Sequence, residues 1–203
     1  MGMVMGAIKN DLLAIYGSKI LLYVGMMGFF LFVDYFGLQG FDSTRSLILV
    51  LPMILMEAFG EAYMTGWQAF ERQMGISALQ RVGAKYLLQS VLIFMGFALY
   101  LLLSPAFSTV TMDIWPAWMD ILIMHLVAAI FYPIIYAFPP KGIWVMTFVL
   151  FGSFFAVLAF AWLQANEVAS IAPWLLAIAT VVIYLASIAL SIVAANWSAG
   201  RSV

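Results

Sequence analysis

Four stretches of this chain contain no aspartate, glutamate, lysine or arginine: Tyr86 to Met112, Ile121 to Pro140, Gly142 to Asn166 and Val168 to Gly200. A helix rises ~1.5 Å per residue and a bilayer core is ~30 Å thick, so about 20 apolar residues cross it and each stretch suffices. The runs are unbroken and rich in Leu, Ile, Ala, Met and Phe, whereas strands of a barrel would alternate over about ten residues. With 67% hydrophobic and 8% charged residues and a mean hydropathy of +1.12, the chain has too little polar surface to cover a water-soluble globule.

Two further apolar segments are interrupted by acids: 19–38 carries Asp34, and 46–65 carries Glu57 and Glu61. The sequence therefore predicts an all-α integral membrane protein of six transmembrane helices, at about 19–38, 46–65, 85–104, 118–137, 143–164 and 173–195. Before them, Met5, Ile8, Leu12, Ile15 and Tyr16 fall at helical spacing opposite Lys9, Asn10 and Asp11. That pattern makes 1–18 an amphipathic helix lying along the interface. Without an internal repeat or a linker, residues 1–203 are expected to form one membrane domain.

The basic residues orient it. Lys9, Lys19, Arg72, Arg81, Lys85, Lys141 and Arg201 fall on one side of the six spans and only Arg45 on the other. Basic residues stay in the cytoplasm, so both termini are expected there, in a multi-pass protein of the cytoplasmic membrane. Asp34, Asp42, Asp113 and Glu167 then lie outside or at outer span ends, and Asp120 near the outer interface. Trp115, Trp118, Trp162 and Trp174 reach that interface too.

The one polar island that can form helix is Gly66 to Tyr86. Its order is Trp67, Phe70, the turn Met74-Gly75-Ile76-Ser77, a basic amphipathic stretch Leu79 to Ala84, then Lys85-Tyr86 opening the next span. With six spans and a lead helix, this resembles the small permease subunits of bacterial ABC transporters, in the exporter branch of the type-2 permeases. The architectural resemblance covers the whole chain and the motif resemblance about Glu57 to Leu88. Two positions depart from the family grammar: its usual proline is Gly75, and the basic residue that follows its Ser/Thr is Ala78.

The resemblance implies that the island holds a helix docking into a separate ATP-binding-cassette ATPase. Trp67, Phe70, Met74 and Ile76 would be anchors, beside Ser77, and Glu71, Arg72 and Arg81 would orient them against an acidic cleft edge. A second contact falls on Pro139, Pro140 and Lys141. It further implies a second permease copy, identical or related, lipid as surroundings, and no nucleic acid. The competing reading of the island is an interfacial helix that meets headgroups alone.

This chain has no phosphate-binding loop of the G-x-x-x-x-G-K-[ST] type. ATP and magnesium would belong to the partner, and no catalytic residue, cofactor or metal is expected here. Glu57 and Glu61 are one helical turn apart on one face near midplane, where a carboxylate is tolerated only against protein or water. Lining of a translocation path, a bundle contact and proton coupling all remain open for them. His125 stands alone in its span and fits a hydrogen-bonded structural histidine or a part of the path better than a metal ligand. The leading expectation is export of an amphipathic or hydrophobic substrate, for example a peptide. The alternatives are a proton-coupled carrier using Glu57, Glu61 and His125, and a small intramembrane lipid enzyme.

Overall fold

A computed structural model describes residues 28, 43–64, 67–107, 114–138 and 173–200. The expected lead helix at 1–18, the span at 19–38 apart from Gly28, the span at 143–164, and Pro139, Pro140 and Lys141 lie outside the described residues. A short 3-10 turn, Ser43–Arg45, leads into α1, Ser46–Met64. Then come α2, Trp67–Gln73, α3, Ala78–Phe107, α4, Ile114–Ala137, and α5, Pro173–Gly200. Among the described residues there is no strand. Ala78–Ala106, Ile114–Ala137 and Trp174–Ser198 are long and apolar enough to cross a membrane, and Leu47–Met56 is a shorter apolar stretch of α1.

These bounds differ from the expected spans in one direction. The helix expected at 85–104 begins at Ala78 and ends at Phe107, that expected at 118–137 begins at Ile114, and that expected at 173–195 runs on to Gly200. Hydropathy finds the stretch that lipid can cover, whereas helix ends are set by caps that lie in water.

Side-chain contacts fix the relative directions. Gly96 of α3 meets Leu47 of α1, while Lys85 meets Phe59, so α1 and α3 are antiparallel. Arg45 meets Asp120, and Phe59 meets Tyr132 and Tyr136, which makes α1 and α4 parallel. His125 packs on Tyr184 and Ala129 binds Ser187, so α4 and α5 are parallel as well. Thus α3 is the one helix among these four that runs against the others.

At the crossing of α1 and α3, a β-carbon on Gly96 would lie 2.5 Å from the Leu47 carbonyl oxygen and 2.9 Å from Ile48 Cα. Small residues permit such close approach of backbones where lipid, being as apolar as leucine, gives no hydrophobic drive to pack. Around this crossing, Ile48, Ile93, Tyr100, Ile121, Val127, Ala128 and Phe131 are buried. By contrast Trp174, Ile178, Val182, Leu185, Leu190 and Val193 of α5 are exposed, an apolar surface suited to lipid.

The glycines make an internal control. A β-carbon at Gly83, also inside α3, would meet nothing within 4 Å. Gly96→Ala is expected to destabilise the bundle by ~1–3 kcal/mol through overpacking, while Gly83→Ala stabilises it by ~0.5–1 kcal/mol through helix propensity. Thermal unfolding in detergent of the two variants should move the midpoint in opposite directions.

Candidate functional site: the corner between α2 and α3

The polar island is two helices joined by a corner, and its bonding explains where each ends. Helix α2 stops in a Schellman arrangement: the Ile76 N–H donates to the Glu71 carbonyl at 3.1 Å and the Gly75 N–H to that of Arg72 at 3.0 Å. This geometry needs a left-handed residue, and Gly75 has φ +75°. Proline, locked near −65°, cannot occupy that conformation. The departure from the family's usual proline is therefore a different stop, fixed by two hydrogen bonds.

Two residues on, α3 starts with a capping box. The Gln80 N–H donates to Ser77 Oγ at 3.2 Å, and the Ser77 N–H donates to Gln80 Oε1 at 2.9 Å. The Arg81 N–H then donates to the Ser77 carbonyl at 3.0 Å, closing the first helical turn. Leu79 to Ala84 and Lys85-Tyr86 accordingly belong to the first turns of α3 and not to a separate amphipathic stretch.

The corner sorts its side chains. Phe70, Met74 and Leu79 are 45%, 60% and 63% exposed, with Ile76 and Arg72 half-buried beside them and Ser77 exposed. Glu71, Arg81 and Lys85 are only 3%, 6% and 3% exposed. Glu71 and Arg81 are both turned into the protein, and of the charges named for docking Arg72 alone keeps an accessible flank. Trp67 opens α2, and Glu57 and Glu61 lie on α1.

Beneath the corner, Lys85 Nζ lies 4.8 Å from the centroid of the Phe59 ring, a cation–π contact. Phe59 in turn packs against Tyr132 at 5.5 Å and Tyr136 at 5.4 Å between centroids. One residue past Lys85 begins a buried chain of hydroxyls across three helices. Ser187 Oγ donates to the Ala129 carbonyl at 2.7 Å, which leaves Tyr86 Oη to donate to Ser187, and Ser191 to donate to Tyr86 at 2.8 Å. Tyr184 Oη donates to the Tyr86 carbonyl at 3.0 Å and accepts from Ser90 Oγ at 3.0 Å; Tyr132 Oη donates to Gln89 Oε1 at 3.0 Å. The corner is therefore continuous with a helix bonded to both α4 and α5.

His125 does not join this chain. Its Nδ1 lies 2.8 Å from the Ile121 carbonyl and so carries the proton, and its ring packs against Tyr184 at 4.9 Å and Phe94 at 5.8 Å. No group of metal-ligating side chains occurs among the described residues.

The chain's long apolar helices, packed behind a polar corner, are those of a membrane protein. Comparison bears this out: the profile for ABC-2 family transporter proteins matches residues 6–196, and the chain belongs to that family. It is thus an ABC-type permease, a membrane protein that is not itself catalytic, and membership implies an ABC ATPase as partner. No curated protein and no solved structure matches the chain.

Sequence reasoning missed three features of this region. The Ser77–Gln80 box carries the S-x-x-Q signature and was open to detection. So was the α5 stripe Thr180, Tyr184, Ser187, Ser191, polar at spacings of three and four on an apolar helix. The inward turn of Glu71 and Arg81 left no such signal. Ser77→Ala is expected to cost ~1 kcal/mol, and Gly75→Ala ~1 kcal/mol or more through left-handed strain. Hydrogen exchange should show faster opening of the amides from 74 to 81 in both variants, with the middle of α3 unchanged.

Proposed function

We propose that the chain is the permease half of an ATP-driven exporter that moves an amphipathic or hydrophobic substrate, for example a peptide, out through the cytoplasmic membrane. The observation that carries this reading is the apolar corner Phe70–Met74–Leu79, held by two cap motifs at the end of a 30-residue helix. A rigid corner passes a push into the bundle, where a loose loop would absorb it. The ATPase would seat over this corner, gripping apolar knobs more than charges, with Arg72 and the turn residues Ile76 and Ser77 at its edge.

The second contact fits the same end of the molecule. Phe138, 60% exposed and bonded through its N–H to the Ile134 carbonyl at 2.9 Å, leads directly to Pro139, Pro140 and Lys141. Since α3 begins and α4 finishes at that end, both contacts would reach one ATPase. The parallel run of α4 and α5 supports six spans, because the intervening chain has to return to the opposite end and 143–164 is apolar enough to do so. The seven-to-one basic asymmetry puts the corner and both termini in the cytoplasm. Two permease chains and two ATPases would complete the assembly, ATP and magnesium residing on the latter.

Glu57 and Glu61 are proposed to line the substrate path, one helical turn apart on α1. The bonded and ring-packed His125 favours a structural role over proton relay, and family membership weighs against a proton-driven carrier or a lipid enzyme.

Trp67→Ala, Met74→Asp or Ile76→Asp should leave the permease folded and weaken ATPase binding by ~2 kcal/mol, about thirtyfold. Hydrolysis should then run uncoupled from transport. Arg81→Ala, at a buried site, should instead lower thermal stability. Co-purification with the ATPase and hydrolysis assays check both, and unchanged binding in all three corner variants would reject the corner as the docking element.

A further inference from the structure

The end of the bundle opposite the corner is closed by an ion pair across 75 residues of sequence. Arg45, in the 3-10 turn ahead of α1, places both Nε and Nη2 at 2.9 Å from Asp120 Oδ2 of α4. The Asp120 side chain is 9% exposed and that of Arg45 is 23% exposed. Ala117, one turn nearer the start of α4, is fully buried, as is Thr44 beside Arg45.

We propose that the Arg45–Asp120 pair is a reversible latch that holds the outer end of α1 against α4, and that it opens when the corner is pushed. Two physical points support it. A pair that is largely withdrawn from water adds little net stability over an apolar contact of similar size, because desolvating the two charges offsets their attraction. As a mere staple it is a poor choice. As a latch it is a good one, since charges at the rim regain water as they part and the opening step stays small.

Position supplies the second point. α1 carries the latch at its first residues and joins α2, the proposed docking helix, through two residues at its other end. At the inner end α1 meets α4 through rings, Phe59 on Tyr132 and Tyr136. Ionic at one end and aromatic at the other, the α1–α4 seam can part at the rim while it pivots on the rings. Exchange of interface salt bridges is a recurrent element of such rigid-body transitions. The orientation, though not the existence, of the latch rests on the proposed function.

The chain has no cysteine, so a single probe reports opening. Ala117→Cys, nearly isosteric, is reconstituted with the ATPase in right-side-out vesicles and treated with a membrane-impermeant maleimide. Labelling should be slow at rest and faster during ATP turnover. Asp120→Asn or Arg45→Gln should speed resting labelling about fivefold or more, in the range of ordinary coupling energies. The exchanged pair Arg45→Asp with Asp120→Arg should slow it again, which an unfolded variant would not do. Equal labelling in parent and single variants, or an exchanged pair as fast as the singles, overturns the latch. Labelling only from the opposite face, still governed by the pair, overturns the orientation and supports the latch.

Discussion

Everything at the corner end of this protein depends on one residue adopting a left-handed backbone. From Trp67 to Phe107 the sequence is helix-capable almost throughout, and a continuous helix would put Leu79 on the face opposite Phe70 and Met74. Gly75, at φ +75°, stops that continuation, and the Ser77–Gln80 box restarts it in a new direction. The resulting corner turns its large apolar side chains outward and takes Glu71, Arg81 and Lys85 inward. Buried charges are tolerated only when paired or hydrogen-bonded, so this inward turn ties the corner to the bundle and makes it stiff.

From the corner, stiffness is carried by α3. It is the antiparallel strut on which α1, α4 and α5 lean, by three different kinds of contact. Against α1 the backbones nearly touch at Gly96. Toward α5 the bonds are hydroxyl to hydroxyl, with Tyr86 shared between Ser187 and Ser191, and toward α4 they run from Tyr132 to Gln89. Interhelical hydrogen bonds in membrane proteins contribute ~0.6 kcal/mol each on average. Their number matters less than their completeness: in the Tyr86 to Ser187 to Ala129 chain each hydroxyl proton finds one acceptor, so a single register between the helices is favoured. The corner is thereby joined through α3 to both α4 and α5.

Much of this was legible in the sequence, for identifiable reasons. Helix type and the location of α3, α4 and α5 follow from uninterrupted apolar length, the strongest signal a membrane chain offers. Hydropathy does not see caps, and Arg81 and Lys85 look like water-facing charges, so the reach of α3 back to Ala78 leaves no mark in it. Their burial is a tertiary fact, produced by Phe59 and its neighbours arriving from α1. Arg45 and Asp120 each stand out in the sequence as a charge beside an apolar stretch, yet their pairing depends on the parallel run of α1 and α4, which no local pattern records. Gly75 stands where the family usually has proline, and its left-handed backbone, which the sequence does not record, makes it a conformational requirement.

The central claim is that the ATPase sits on the apolar corner and not on the buried charges behind it. Site-specific cross-linking in native membranes tests this most directly, because the chain contributes no cysteine of its own. Single cysteines at Phe70, Met74 and Leu79 should cross-link to the ATPase through a short bifunctional maleimide, whereas cysteines at Leu102 and Ile114, exposed at the far end of the bundle, should not. Cross-links absent from all three corner positions, or as strong from the far end as from the corner, would contradict the account.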